Sequence, residues 1–282
     1  MKLIRFGESG HERPGLIDSS GAIRDLSGVI DDLSPQHLSK ASLSRLAALD
    51  PASLPLVERN VRIGPCIADA RNFISIGLNY VDHAIESNAP IPQEPVVFNK
   101  LNSCISGPND PVVLMKGSKK TDWEVEVAMV IGEPAYLVDE AQALSSIAGL
   151  CICHDISERE FQLERGGQWV KGKSGPTYGP LGPWLVTLDE LDIQNLDLWL
   201  DVNGERMQTG TTAKMIFGFA TIVSYLSQFM KLMPGDVITT GTPPGVGMAM
   251  NPPRFLRAGD VVTLGVGGLG EQRQEVVAHR PV

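Results

Sequence analysis

Glu124 and Glu126 stand two residues apart in Asp122-Trp123-Glu124-Val125-Glu126-Val127, and a third acid, Asp155, closes the apolar run Leu150-Cys151-Ile152-Cys153-His154. In a β-strand, residues two apart project to one face, so the pair aims two carboxylates at one spot. A solvated strand face presents the same pattern. The apolar neighbours of all three acids argue instead for burial, and buried carboxylates stay ionised only when a cation pairs with them. Oxygen-only ligands with positions left for water or substrate suit a hard divalent ion, Mg²⁺ or Mn²⁺, better than Zn²⁺.

A second grouping lies in Gly77-Leu78-Asn79-Tyr80-Val81-Asp82-His83-Ala84-Ile85-Glu86. Loop residues lead into a short helix on which His83 and Glu86, three apart, share one face. A carboxylate beside an imidazole orients it and raises its basicity, which is what activation of a water requires. A surface His-Glu pair has the same spacing. The glycine and asparagine before the helix would allow it to move over a bound molecule.

Gly167-Gln168-Trp169-Val170-Lys171-Gly172-Lys173-Ser174 matches a phosphate loop letter by letter, but its context rejects nucleotide binding. No buried strand precedes it, and Gly175-Pro176 would break the helix that must follow. Lys173 is better suited to meet an anionic substrate or a developing enolate. The run Thr239-Thr240-Gly241-Thr242-Pro243-Pro244-Gly245-Val246-Gly247 has the wrong glycine spacing for a dinucleotide site. It reads either as a plain turn or as a strand end offering backbone N–H and hydroxyl donors. His11, His37, His154 and His279 have no partners at ligand spacing, and Ser174 has no paired base within a recognisable nucleophile motif, which argues against a serine hydrolase.

The elements that must position these groups can be read more coarsely. The 282 residues are 43% hydrophobic, enough for one large domain with a smaller appendage. Residues 1–66 read as a small N-terminal α+β domain: a strand at 2–6, two short strands about a Ser-Gly turn in 15–23, and a helical stretch over 34–48. Pro51, Pro55 and Gly64-Pro65 punctuate its exit, leaving 67–282 as the catalytic domain. There, strand-like runs at 73–76, 96–98, 125–131, 150–153, 184–186, 196–202, 237–240 and 261–266 outnumber the helices predicted at 140–147, 158–163 and 217–229. The fold class is therefore a mixed, β-rich α+β. Twenty-four basic residues against 33 acidic ones, a net charge of -9, argue against a nucleic-acid surface. No segment is apolar enough to span a membrane and the start carries no signal-like run, so the cytoplasm is expected. Cys66, Cys104, Cys151 and Cys153 lack disulfide or zinc spacing and read as buried thiols.

Taken in order, Gly77-Leu78-Asn79-Tyr80 with His83 and Glu86, Phe98-x-Lys100, Asp122-x-Glu124-x-Glu126, Asp155-x-x-x-Arg159-x-x-Gln162, Gly172-Lys173-Ser174 and Thr240-Gly241-Thr242-Pro243-x-Gly245-Val246-Gly247 resemble the fumarylacetoacetate hydrolase family over about residues 70–280. The resemblance implies a mixed β-sandwich roll that dimerises, with Mg²⁺ or Mn²⁺ on Glu124, Glu126 and Asp155. It implies a small-molecule oxo-acid substrate: a 2,4-diketo acid, from a deoxy sugar acid such as 2,4-diketo-3-deoxyrhamnonate or from an acyl- or fumarylpyruvate, cleaved at a C–C bond to release pyruvate. His83, oriented by Glu86, would activate water, and Lys173 would neutralise the departing charge. Tyr80, Lys100, Arg159, Gln162 and Thr242 would contact substrate. Oxaloacetate decarboxylases, hydratases or isomerases of unsaturated oxo acids, and proteins labelled ureidoglycolate lyase share the same constellation. Many relatives carry Lys-Ser-x-Asp-Thr-Phe where this chain has Lys173-Ser174-Gly175-Pro176-Thr177-Tyr178, so an acid that could orient Lys173 is missing.

Overall fold

The computed structural model describes residues 1–58 and 60–279. Its largest element is a ten-stranded mixed sheet whose centre is the strand Val125–Ile131. All seven of its residues are buried, as a strand covered on both faces requires. Antiparallel to it runs Ile147–His154, equally buried, with Glu126 opposite Cys153. On the other side, Val237–Thr239 pairs with Val125–Ile131 and then, in parallel, with Phe73–Gly77, which is followed by the edge strand Val96–Lys100. A second, five-stranded sheet contains Asp197–Val202, Glu205–Thr211, Val261–Val266 and Gly270–Val277 and packs on the first as the other half of a roll. Expectation and structure agree on a sheet-rich mixed α/β fold.

The N-terminal segment joins the same large sheet. Lys2–Phe6 pairs with Gly179–Val186, placing Leu3 opposite Leu185, and Arg13–Ile17 and Ile23–Asp25 continue outward from it. The helix expected over 34–48 is a 3₁₀ turn at Pro35–His37 and a separate helix, Lys40–Ala47, because Ser39 caps the second by accepting the Ser42 N–H. The helix expected over 140–147 ends early. Glu140–Ala143 passes into a 3₁₀ turn, and Ile147 already belongs to the sheet.

Two long strands escaped the sequence reading, as did the two-residue strands Ile105–Ser106, Val112–Val113, Thr121–Asp122 and Ser157–Glu158. Glu205–Thr211 is mostly solvent-facing, and its hairpin with Asp197–Val202 turns on Asn203 and Gly204, both at positive φ. Gly270–Val277 alternates, yet two of its inward residues are glutamines. Gln272 donates to the Ile152 and Gly182 carbonyls, and Gln274 to Pro108, so polar side chains take core positions by satisfying backbone acceptors.

Candidate metal centre

The acids meet where the two central strands end. Glu124 lies just before Val125–Ile131 and Asp155 just after Ile147–His154, so Glu124 is not within a strand as the spacing suggested. The Asp155 N–H nonetheless donates to the Glu124 carbonyl at 2.9 Å, extending the ladder by one rung. Carboxylate oxygens of Glu124, Glu126 and Asp155 come within 4.8 Å of one another, and all three side chains are buried.

Three cations surround this cluster. Lys173 Nζ donates to Glu124 Oε2 and to Asp155 Oδ2, both at 2.6 Å. Arg159 donates to Glu124 Oε1 at 2.6 Å and to Asp122 Oδ2 at 2.8 Å. Lys100 Nζ donates to Asp155 Oδ1 at 2.6 Å. Against burial, Arg159 and Lys173 hold the Glu124 carboxyl well below the usual range. Among the described residues Glu126 has no such partner and receives only the Gly241 N–H, at 3.0 Å. Burial, then the charges of Asp155 and Glu124, push its carboxyl well above the usual range. Asp122, Glu124, Glu126 and Asp155 thus face three cations and lack one charge. An all-oxygen donor set short of positive charge fits a hard divalent ion and offers nothing to a soft one.

His83 and Glu86 sit on the helix Val81–Glu86, and His83 opens onto the same cavity, about 120 Å³ in volume, that the three acids line. His83 Nδ1 lies 3.2 Å from Glu86 Oε2, leaving Nε2 for the cavity. The Gly245 N–H fixes Glu86, donating to Oε1 at 2.9 Å and Oε2 at 3.1 Å. Gly245 has φ +104, and a Cβ there would stand 1.9 Å from the Met207 carbonyl oxygen, so only glycine serves. The Thr-Gly-Thr-Pro-Pro-Gly run is therefore more than a turn: Gly241 holds a candidate ligand and Gly245 the acid behind the candidate base.

The helix bearing His83 is riveted in place. Asn79 donates to the Phe217 and Thr240 carbonyls and accepts the Phe217 N–H, while Gly77 makes room for the Trp169 ring. In this structure both residues have packing roles at the start of the helix.

Other expected site residues sort into those at the cavity and those behind it. Arg159, Gln162, Lys173 and Thr242 line it. Gln162 accepts from Arg159 at 3.1 Å, and the Thr242 hydroxyl donates to the Val125 carbonyl while accepting from Gln208 Nε2, so it is already committed within the protein. Lys100 is behind the cavity, not in contact with it: its ammonium is enclosed by Asp155 and the carbonyls of Lys173 and Tyr178. Tyr80 is also set back. Its buried phenol has no hydrogen-bond partner among the described residues, and burial together with the Glu126 charge raises its pKa. Asp122 was missing from the expected set although it opens the Asp-x-Glu-x-Glu run. It accepts from Arg159, Gly247 N–H and Met248 N–H and so ties the arginine to the glycine-rich turn.

Lys173 ends the short helix Val170–Lys173, whereas a phosphate loop needs that lysine at a helix start. Pro176 is exposed and does not line the cavity; Glu124 and Asp155 orient Lys173 instead. His154 is fully buried against Gln274, its pKa pushed down to about 4 by desolvation, and takes no part in the cluster. The four thiols are buried and unpaired. A roomier groove of about 460 Å³ lies between the helix Lys40–Ala47 and Ile147, but it gathers no histidine and no triad of acids.

Fold and site together describe a mixed β-roll that brings three buried carboxylates, a donor set able to hold a metal ion, to one cavity. Residues 72–277 match the family model described as the fumarylacetoacetate hydrolase C-terminal domain. A relative from Burkholderia multivorans, provisionally named a hydrolase, is 58% identical over 99% of this chain and 100% of its own length. The chain belongs to the fumarylacetoacetate hydrolase family. Among solved structures, it resembles a fumarylacetoacetate hydrolase from Exiguobacterium antarcticum at 33% identity and TM-score 0.89, covering 99% of this chain and 100% of that one. A probable 2-hydroxyhepta-2,4-diene-1,7-dioate isomerase from Mycobacterium abscessus is 34% identical, TM-score 0.85, with full coverage of both chains. Maleylpyruvate hydrolase from Sphingobium sp. SYK-6, solved with manganese(II) and pyruvate, is 26% identical, TM-score 0.81, covering 99% of this chain and all of that one.

Proposed function

We propose that the protein is a Mg²⁺- or Mn²⁺-dependent hydrolase that cleaves a C–C bond of a 2,4-diketo acid and releases pyruvate. The observation that carries this reading is a cavity shared by Glu126, a buried carboxylate short of a cation, and His83, which Glu86 holds from behind. Glu124, Glu126 and Asp155 would hold the ion, which supplies Lewis-acid polarisation of a carbonyl. His83, held by Glu86, takes a proton from water at Nε2, and the hydroxide adds to C4. The C3–C4 bond then breaks, its electrons pass to C3, and that carbon takes up the proton held on His83, giving a carboxylic acid and pyruvate. Lys173 stabilises the negative charge that develops on the three-carbon fragment. Lys100 is a positioning group that fixes Asp155, and Arg159 does the same for Glu124. A homodimer acting in the cytoplasm is part of the proposal.

A second reading is isomerisation of an unsaturated hydroxy dioate, supported by the 34% identity to the Mycobacterium abscessus protein. It needs proton transfer between carbons but consumes no water. The test is pyruvate release from a panel of 2,4-diketo acids, with oxaloacetate and an unsaturated hydroxy dioate as controls, in Mg²⁺, Mn²⁺ and chelator. His83→Ala should lower diketo-acid cleavage by about 10²- to 10⁴-fold while leaving Mg²⁺ affinity unchanged. Turnover of the dioate or of oxaloacetate with every diketo acid untouched would overturn the hydrolase.

A further inference from the structure

Tyr178 is fully buried, five residues after Lys173, and it grips the chain between them. Its N–H donates to the Gly175 carbonyl at 2.9 Å, closing a turn over residues 175–178. The Gly175 backbone lies against the Tyr178 ring, where a Cβ would come within 2.9 Å of it. The Tyr178 carbonyl accepts from Lys100 Nζ at 2.9 Å and from the Ile156 N–H at 3.2 Å. Lys100 also donates to the Lys173 carbonyl, so one ammonium pins both ends of the segment 173–178. Pro176, within it, adds no donor and no side-chain acceptor.

The phenol ties this segment to the rest of the site. Tyr178 Oη stands 3.0 Å from Thr121 Oγ1 and accepts the Met115 N–H at 3.3 Å. The Thr121 hydroxyl has one proton, which the Glu158 carboxylate accepts at Oε2, 3.1 Å away. The phenol is therefore the donor to Thr121, and the chain Tyr178–Thr121–Glu158 runs in one direction. Thr121 adjoins Asp122 and Glu158 adjoins Arg159, two residues joined at 2.8 Å. The lysine segment is thus fastened to the anchor of the arginine.

This fastening matters once the acids are in use. Lys173 Nζ is held by Glu124 Oε2 and Asp155 Oδ2, on two of the carboxylates proposed to bind the ion. An ion drawing on those oxygens weakens their hold on the ammonium. The Phe98 ring, 5.1 Å from Nζ, remains beneath it. A lysine stem is long and flexible, so the place of its ammonium then depends on a fixed main chain.

We infer that Tyr178 is a positioning residue whose phenol fixes the main chain from which Lys173 reaches the substrate anion while Glu124 and Asp155 hold the ion. The inference rests on the substrate role given to Lys173 in the reading above. It predicts a coupling: removing the phenol should matter to an anion only where Lys173 is present.

The probe is oxalate, a planar dianion with the charge pattern of a pyruvate enolate, titrated by calorimetry into the Mg²⁺-loaded protein. Tyr178→Phe should weaken oxalate binding about tenfold and leave Mg²⁺ affinity within about twofold. Lys173→Met should weaken oxalate at least as much, and adding Tyr178→Phe to it should change the affinity by no more than about twofold. Glu158→Gln controls for lost stability, since its amide oxygen still accepts from Thr121. Both it and Tyr178→Phe should lower the melting midpoint by roughly 2–8 °C, but Glu158→Gln should leave oxalate affinity unchanged. An equal loss from Tyr178→Phe with and without Lys173→Met, no loss in either, the same loss from Glu158→Gln, or a matching fall in Mg²⁺ affinity overturns the inference. A wild type that binds no oxalate overturns the oxo-acid reading and the inference with it. The expected coupling with no cleavage of any diketo acid removes the hydrolase alone.

Discussion

Glu158 is fully buried and surrounded by donors: the Ser118 and Thr121 hydroxyls, the Lys120 N–H and the Glu160 N–H. Glu126, at 2% exposure, receives one backbone N–H and faces two other carboxylates. The first acid is complete, and its work is to fasten the 118–121 segment to the helix Arg159–Leu163. The second is incomplete as a carboxylate within the protein: a proton neutralises it, or a cation would. The difference shows that burial does not mark a functional carboxylate; the count of donors around it does.

Exchanging charge for shape at each glutamate is the sharpest way to break this comparison. Glu126→Gln should remove measurable Mg²⁺ binding by calorimetry and lower turnover by about 10³-fold or more, since Lewis-acid stabilisation supplies several kcal/mol. Unchanged Mg²⁺ affinity would end the ligand assignment. Lys173→Met should cost about 10²-fold in turnover. Mg²⁺ affinity should hold or rise, because the ammonium competes for the oxygens of Glu124 and Asp155; a fall would make Lys173 a support for the metal site. The wild type should bind no ATP, and ATP affinity dependent on Lys173 would restore the phosphate-loop reading.

Glu158→Gln should act on stability alone. Setting an amide among donors that face a carboxylate should cost about 1–3 kcal/mol, a fall of roughly 2–8 °C in melting midpoint, with Mg²⁺ affinity retained. A smaller pH effect sharpens the contrast. The folded protein holds the Glu126 proton to higher pH than the unfolded chain, whose carboxyl titrates near 4.5. Stability from that proton is present below the unfolded value and is lost as pH rises through the folded one. Metal-free melting points should therefore decline as pH climbs above about 4.5, and the gain from added Mg²⁺ should grow over the same window. A Glu126→Gln profile as steep as the wild type would assign the decline to another group.

Much of this was legible in the order of residues. Glu124, Glu126, Asp155 and the His83–Glu86 spacing announce themselves because each needs only local geometry to be read. The central strands are legible for a similar reason, since Val125–Ile131 and Ile147–His154 carry apolar residues at nearly every position. What escaped depended on partners far along the chain. Lys100 looks like a substrate contact until the carbonyls of Lys173 and Tyr178 close around it, and Asp122 looks incidental until Arg159 and the Gly247 turn arrive. Gly270–Val277 was missed because Gln272 and Gln274 point inward, a pattern that hydrophobic periodicity cannot register.

The pairing of Lys2–Phe6 with Gly179–Val186 carries a consequence for the order of assembly. One of the two sheet neighbours of Lys2–Phe6 lies more than 180 residues further along the chain, Lys2 facing Val186 and Leu3 facing Leu185. Until that neighbour has been made, the buried side chains Leu3, Ile4 and Phe6 can be sheltered only by the local hairpin with Arg13–Ile17. So distant a contact slows folding and leaves an open strand edge in the nascent chain. The strand that receives it begins six residues after Lys173, so this edge closes only once the segment carrying that lysine has been made.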